Sequence, residues 1–225
     1  MSLACRIRTK FARPEAGVVA RLGKLPVAVI CDVMGRTTGS DARLRPMHRE
    51  GALAGPALTV RCKPGDNLLL QKAIDVAAPG DVIVVDGGGN VQNALMGELM
   101  LSHAIRRGIA GFVIDGAVRD IAFINQINLP LYAVGVTPRG PFREGPGEIG
   151  FAVSVDGMVV EPGDILVGDA DGVVAVPRLR ADAVLAQAEE KAALEERQRD
   201  AIAGGRFDRS WIDPLLNKIG AEYVD

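Results

Sequence analysis

Residues 81–120 read DVIVVDGGGNVQNALMGELMLSHAIRRGIAGFVIDGAVRD. Two apolar runs of strand length, DVIVVD (81–86) and IAGFVID (109–115), frame a segment with helical spacing. Each run is continuous rather than alternating, which marks a strand covered on both faces. Between them, NALMGELMLSHAIRRG places Leu95, Leu99, Ala104 and Ile105 near one helical face, and Gly108 stops the helix. GGGN (87–90) reads as the loop joining the first strand to that helix. The second strand is expected to end at Asp115. There Asp115, Arg119 and Asp120 place three formal charges within six residues. Charges in that position either occupy a solvated strand end or line a pocket.

Working outward, KPGDNLLLQKAIDVAAPGD predicts a helix over about 66–77 between two Pro-Gly-Asp turns, in which proline presets the first turn dihedral and glycine accepts a positive φ. ALAGPALTVRC (52–62) reads as a strand interrupted at Gly55-Pro56, and LPVAVICDVMG (25–35) as a helix with Asp32 on its polar side. Downstream, DIAFINQI predicts another helix and LPLYAVGVTP (129–138) a third strand. The βαβαβ rhythm implies a mostly parallel sheet with right-handed crossovers. From 153 to 177 strands alternate with Asp-Gly and Pro-Gly-Asp turns, an antiparallel pattern. Pro-Gly-Asp begins at 64, 79 and 162, a reused turn-and-strand device. A charged helix is expected over 180–203, ended by Gly204-Gly205, with Leu185, Ala188, Ala192 and Leu194 as a thin apolar stripe. The division expected is one α/β domain over 1–178, then a C-terminal helix and tail over 179–225 that make subunit contacts; the tail carries the single Trp211.

Bulk properties narrow the function. At 225 residues and 48% hydrophobic the chain can bury a sizeable core. A formal charge of −2 argues against a protein that grips nucleic-acid backbones. Cys5, Cys31 and Cys62 are scattered and form no Cys-x-x-Cys pair, as in reduced thiols. MSLACRIRTK lacks the apolar core of a secretory signal, and no apolar run reaches the roughly 18 residues of a membrane span. A cytoplasmic protein with no membrane partner is expected. Only His48 and His103 are present, so histidine-rich zinc sites and His-activated nucleophiles are disfavoured. Chemistry must run on carboxylates, arginine and backbone amides.

In a parallel sheet the loops leaving adjacent strands gather at one edge, where open α/β folds bind ligands. Gly97-Glu98-Leu99-Met100 and Arg119-Asp120 could therefore face one cleft. Amides at a glycine-bearing helix start can hold a carboxylate. Arg119 offers a planar fork, and Asp120 a hard oxygen ligand for Mg²⁺ or Mn²⁺ completed by substrate oxygens and water. On its own the Arg-Asp pair also fits an ordinary surface ion pair.

GGGNVQNALMGELM followed by GFVIDGAVRD and then EPGDILVGDADGVVAVP resembles the class II 4-hydroxy-4-methyl-2-oxoglutarate aldolases and the related regulators of ribonuclease E activity, over roughly residues 25–200. Gly97 lies 22 residues before Arg119, the spacing of that family's pattern. The resemblance implies a swivelling β/β/α domain, a parallel sheet layered against a second sheet and helices. It also implies a metal-assisted pyruvate aldolase, assembled as trimers or hexamers with sites at subunit boundaries. In such an enzyme the amides of Gly97, Glu98, Leu99 and Met100 would take the pyruvoyl carboxylate of a 2-oxo acid. Arg119 would contact the 2-keto oxygen, Asp120 would bind the metal, and Glu98 would hold a water on it as acid or base. Retro-aldol cleavage of a 4-hydroxy-2-oxo acid would leave pyruvate enolate, the species that oxaloacetate decarboxylation also forms. A neighbouring subunit would add a glutamate, for which Glu189, Glu190 and Glu195 are candidates, and Asp32 matches an early acidic position. Arg36, Arg43, Arg45 and Arg139 are candidates for reading the distal end of the substrate.

Two other readings compete. A regulator that binds a ribonuclease would need no chemistry, but that branch departs from the Arg-Asp pair, which is intact here. A methyltransferase reading rests on VIVVDGGGN as a glycine loop for S-adenosylmethionine, yet Asn90 stands where a further glycine is wanted.

Overall fold

The computed structural model describes residues 5–224. Met1 to Ala4, part of the stretch examined for a leader, and Asp225 lie outside the described residues. In chain order the elements are β1 (Cys5–Ile7), α1 (Ala16–Leu22), α2 (Val27–Val33), β2 (Arg45–Pro46), β3 (Leu53–Cys62), α3 (Leu68–Val76), β4 (Val82–Met96) and α4 (Glu98–Arg106). There follow β5 (Gly111–Val118), α5 (Ile121–Ile127), β6 (Leu131–Val136), β7 (Gly147–Ile149), β8 (Val153–Val155), β9 (Met158–Val160), β10 (Ile165–Asp169), β11 (Gly172–Val176), α6 (Ala181–Ala203) and α7 (Ile212–Lys218). The chain divides into two compact units, one ending at Ala188 and one beginning at Glu189. The first takes in the opening of α6, where Ala181, Val184, Leu185 and Ala188 are buried.

In the first unit β3, β4, β5 and β6 form a parallel sheet, with β7 antiparallel on β3 and β2 antiparallel on β6. Alternation along β4 shows why its run is apolar throughout: Ile83 and Val85 join one core and Val82 and Val84 the other. The first core is filled by Leu70, Ala73 and Ile74 of α3, Leu101 and Ala104 of α4, and Ile124 of α5. The second is filled by Val153 and Val155 of β8, Met158 and Val160 of β9, and Leu166 of β10. Helices, parallel sheet and antiparallel strands thus make the layered β/β/α architecture, an α/β fold.

Four local readings change. GGGN is no loop: β4 runs on to Met96, and its pairing with β5 steps from Asp86↔Asp115 to Asn90↔Gly116 and then to Ala94↔Ala117. Residues 87–89 and 91–93 bulge out of the ladder, so the sheet is prolonged to the site. The helix consequently starts at Glu98, and Leu95 is a buried strand residue. The glycine run therefore opens no helix, as a cofactor-holding glycine loop would. Likewise β5 continues to Val118, leaving Asp115 inside the strand and only 7% exposed. Finally, β3 is not interrupted at Gly55-Pro56 but changes partner there. Leu53 to Pro56 pair with β10, and Ala57 to Arg61 pair with β4.

The three Pro-Gly-Asp turns share one device. Asp66, Asp81 and Asp164 are all buried, and each carboxylate accepts backbone amides. Asp81 takes Ala78 N at 2.9 Å and Asp164 takes Glu161 N at 2.9 Å, closing the turn across the same interval. Asp81 is also clasped by Arg13 through two bonds of 2.8 and 2.7 Å.

Candidate active site

Two chain ends meet where β4 and β5 finish. Met96↔Val118 is the last pair of that ladder, and Arg119 N donates to Met96 O at 3.0 Å. One residue further, Glu98 N donates to Asp120 Oδ2 at 2.9 Å. Gly97 lies between, buried, with extended backbone. A β-carbon there would collide with Asp120 Oδ2 and come within 2.9 Å of Arg119 Cγ. Glycine is required at 97 by space.

Asp120 adopts φ 63° and ψ 44°, the left-handed region, as the residue preceding α5. Aspartate tolerates this region better than most residues, yet such conformations cost of order 1–3 kcal/mol and gather at functional sites. The strained backbone directs the carboxylate back onto the start of α4. Arg119 Nε lies 3.7 Å from Asp120 Oδ2, and both side chains are about two-fifths exposed, 42% and 39%. A half-exposed pair at this distance contributes little to stability. Asp120 Oδ1 takes no hydrogen bond among the described residues.

The first turn of α4 supplies the donors. Leu101 N closes onto Gly97 O at 3.1 Å, and the amides of Leu99 and Met100 find no acceptor among the described residues. Unpaired amides at a helix start, with the local dipole behind them, favour an anion. They open on a cleft of about 330 Å³ lined by Asn67, Met96, Gly97, Leu99, Arg119 and Arg143 among others. That volume suits a small metabolite.

Gly97, Leu99, Met100 and Arg119 line this cleft; Glu98 and Asp120 do not line it, and Asp120 adjoins it through its bond from Glu98 N and its approach to Gly97. Asp32 does not join them; it lies on α2, which packs against β10 and β11, and pairs with Arg36 at 2.9 Å. Glu189, Glu190 and Glu195 belong to the second unit, where Glu195 pairs with Lys191 at 3.4 Å. Arg43 is engaged by Asp156 at 2.8 Å and Asp115 at 3.6 Å. Arg36, Arg43, Arg45 and Arg139 are all absent from the cleft lining.

Three participants went unread. Asn67, 2% exposed, donates to Leu95 O at 2.9 Å and to Met100 Sδ at 3.2 Å, so one amide ties the end of β4 to the start of α4. Asp66 holds the loop at 142–145, and Arg143 from that loop lines the cleft. The signal available was the turn Pro64-Gly65-Asp66-Asn67, whose two polar residues directly precede an apolar helix.

The donor set fits a hard divalent cation in one respect. Asp120 presents an oxygen beside a cleft whose occupant can bring more, and Mg²⁺ keeps water and substrate oxygens as ligands. Among the described residues no group of three His, Cys, Asp or Glu forms a closed cage.

The fold and site together define a class: an α/β domain with a cleft at the carboxyl ends of its parallel strands. The RraA-like family model, described as Aldolase/RraA, matches residues 27–175. A Halalkalibacterium halodurans protein named "Putative 4-hydroxy-4-methyl-2-oxoglutarate aldolase" is 36% identical over 208 residues, 92% of this chain and 99% of that one. The chain belongs to the RraA-like (Aldolase/RraA) family. Among solved structures, an uncharacterized protein from Pseudomonas syringae pv. tomato superposes with a TM-score of 0.77 at 27% identity, covering 87% of this chain and 92% of that one. The RNA-processing inhibitor RraA of Thermus thermophilis superposes with a TM-score of 0.63 at 31% identity, covering 68% and 92%. Among the described residues no helix is long and apolar enough to cross a membrane.

Proposed function

We propose that the protein is a divalent-metal-dependent pyruvate aldolase that cleaves a 4-hydroxy-2-oxo acid, with oxaloacetate decarboxylation as a second activity. The observation that supports this reading is the meeting of Arg119 and Asp120 at the start of α4, whose unpaired Leu99 and Met100 amides belong to the cleft that Arg119 also lines. The name of the H. halodurans relative supports the same chemistry.

In this reading the amides of Leu99 and Met100 bind the C1 carboxylate, a role open to them because the fold leaves them unpaired. Asp120 would hold Mg²⁺ or Mn²⁺, which when bound supplies Lewis-acid stabilisation of charge on the 2-keto oxygen. Arg119 directs its guanidinium at the same oxygen and stabilises the enolate charge that develops as the C3–C4 bond breaks. The electrons of that bond pass to C3 and the keto oxygen, while the C4 hydroxyl proton leaves to a base. Glu98, exposed as the first residue of α4, would exchange that proton through water. Its later delivery to C3 completes pyruvate. Loss of CO₂ from oxaloacetate generates the same enolate and draws on the same groups.

The regulator reading is favoured by one observation, the likeness to the Thermus RNA-processing inhibitor. The two separate in a lactate dehydrogenase-coupled assay over 4-hydroxy-2-oxo acids and oxaloacetate, with Mg²⁺ or with EDTA. Metal-dependent pyruvate release is expected, and Arg119→Ala should reduce it by about 10²–10³-fold. Pyruvate release that is absent, or that survives Arg119→Ala, would overturn the reading.

A further inference from the structure

From the groups that line the cleft we infer that His103, oriented by Asp75, carries the proton between solvent and C3 of the pyruvate enolate. The inference rests on the aldolase reading and adds to it the group that makes and breaks the C3–H bond.

The cleft runs past the start of α4 into the seam between α3 and α4, where Gln71, Ile74, Asp75 and His103 line it. Of its described lining residues, only Asp75 and His103 can both take and give a proton near neutral pH. Arg119 and Arg143 stay protonated, and Glu98 does not line the cleft. The other histidine is held in the structure: His48 Nδ1 pairs with the backbone of Leu131 at 3.1 Å, and Nε2 with Gly51 O at 3.3 Å. Histidine thus joins a chemistry that the sequence presents as carboxylate, arginine and amide alone.

His103 Nε2 lies 3.3 Å from Asp75 Oδ1. An ionised carboxylate only accepts, so it keeps the ring hydrogen on Nε2. Nδ1, which has no partner among the described residues, is left for exchange. The two side chains are 51% and 54% exposed, so their pairing contributes little to stability. Their spacing is nevertheless fixed: Arg107, the residue after α4, donates through Nη2 to Asp75 O at 2.9 Å and to Ala77 O at 3.1 Å. Besides Asp75, the charged side chains on the elements around the ring are Lys72 on α3, Glu98 and Arg106 on α4, and Arg119 and Arg143 in the cleft. Helix α5, which also packs on α4, carries none.

His103 follows Leu99 and Met100 by one helical turn, about 5 Å along the axis. Helical side chains lean toward the N-terminus, so the imidazole overlies the turn whose amides take the C1 carboxylate. C2 of a 2-oxo acid is planar with three substituents. With the carboxylate on those amides and the keto oxygen at Arg119, C3 is the substituent turned away from Arg119. Arg119 follows the end of β5, whereas His103 belongs to the α3–α4 seam, so C3 meets the ring directly or through one water. In cleavage the protonated ring gives its Nδ1 hydrogen to C3. The enolate electron pair forms the new C–H bond, the keto C=O is restored, and a neutral ring remains with its Nε2 hydrogen on Asp75. Water returns to Nδ1 the proton that left the C4 hydroxyl. On bound pyruvate the reverse transfer removes a methyl proton and forms the enolate.

Two reactions separate this role from the rest of the site. Exchange of the pyruvate methyl protons with deuterium needs a base at C3, whereas loss of CO₂ from oxaloacetate forms the same enolate without removing a proton. Both are followed by NMR with Mg²⁺ for wild type, His103→Gln, Asp75→Asn and the double variant, and circular-dichroism melting verifies the fold. His103→Gln should lower exchange by about 10²-fold or more, and oxaloacetate consumption by roughly tenfold less than that. Wild-type exchange should rise with pH as the neutral ring becomes available, and this limb should vanish in His103→Gln. Asp75→Asn should lower exchange while His103 is present and add nothing in the double variant, since a positioning residue acts only through the ring. Additive losses in the double variant would overturn the role of Asp75. Equal losses in the two reactions, an unchanged exchange rate, or a pH limb that persists without His103 would overturn the role of His103 while leaving the aldolase reading in place. Wild-type protein that neither exchanges pyruvate protons nor consumes oxaloacetate would overturn both.

Discussion

At the scale of the residue, position 97 is constrained by the site itself. Its backbone is extended and unstrained, so the demand for glycine comes wholly from the side chains of Arg119 and Asp120 beside it. Gly97→Ala must push Asp120 off the start of α4, misplacing the carboxylate and the amides together. Because both displaced groups are partly exposed, the expected stability loss is only about 1 kcal/mol. Turnover should fall at least 10²-fold, since a displacement of about 1 Å at reacting groups costs that much. Kinetics beside thermal melting check this: a large loss of Tm or unchanged turnover would be the wrong outcome. Convergence of Gly97, Arg119 and Asp120 was legible from their spacing and from parallel-sheet topology. Arg143 was not, because a lone arginine in a Gly- and Pro-rich loop carries no periodicity. Asp115 also misled: a charge after Phe-Val-Ile reads as a strand end, but this one stays in the strand beside Arg43. Burial raises its pKa, with the Asp156 amide and Arg43 opposing.

At the scale of the element, the turn at 64–67 links the start of α3, the loop bearing Arg143 and the start of α4. Burial alone would raise the pKa of Asp66, but the amides of Glu144, Leu68 and Gly145 and the charge of Lys63 bring it below its ordinary 3.8. A folded-state pKa below the unfolded one contributes stability above pH 3.8 that is lost as pH falls through the folded value. Asp66→Asn should therefore cost about 2 kcal/mol at neutral pH, and the gap to wild type should close at the acid end. Urea unfolding between pH 7 and pH 2 measures it; a gap that widens on acidification would contradict the clamp. The helices α2 to α6 were legible in outline because apolar spacing and turn residues agree, whereas the seven-residue α1 and α7 went unread, too short to show a period. The course of β4 was not: three consecutive glycines resemble a loop, and only pairing with β5 shows that the strand resumes after each bulge.

At the scale of the whole molecule, the layered α/β architecture follows from where apolar residues fall. Continuous runs in β4 and β5 require cover on both faces, which the helices and the β8–β11 strands provide. The antiparallel texture after residue 150 was readable from Asp-Gly and Pro-Gly-Asp turns. The change of partner within β3 was not, since Gly55-Pro56 looks locally like a break and depends on β10, more than 100 residues later in the chain. The central functional claim is that this architecture brings one arginine, one aspartate and a helix start around a 2-oxo acid and a divalent ion. Exchange of the pyruvate methyl protons with deuterium, followed by NMR, reports enolate formation without any need for the full substrate. With Mg²⁺ or Mn²⁺ the wild-type protein is expected to catalyse exchange, EDTA should stop it, and Asp120→Asn should lower it at least 10²-fold. A folded wild-type protein that shows no metal-dependent exchange, or an Asp120→Asn variant that exchanges as fast as wild type, would contradict the account.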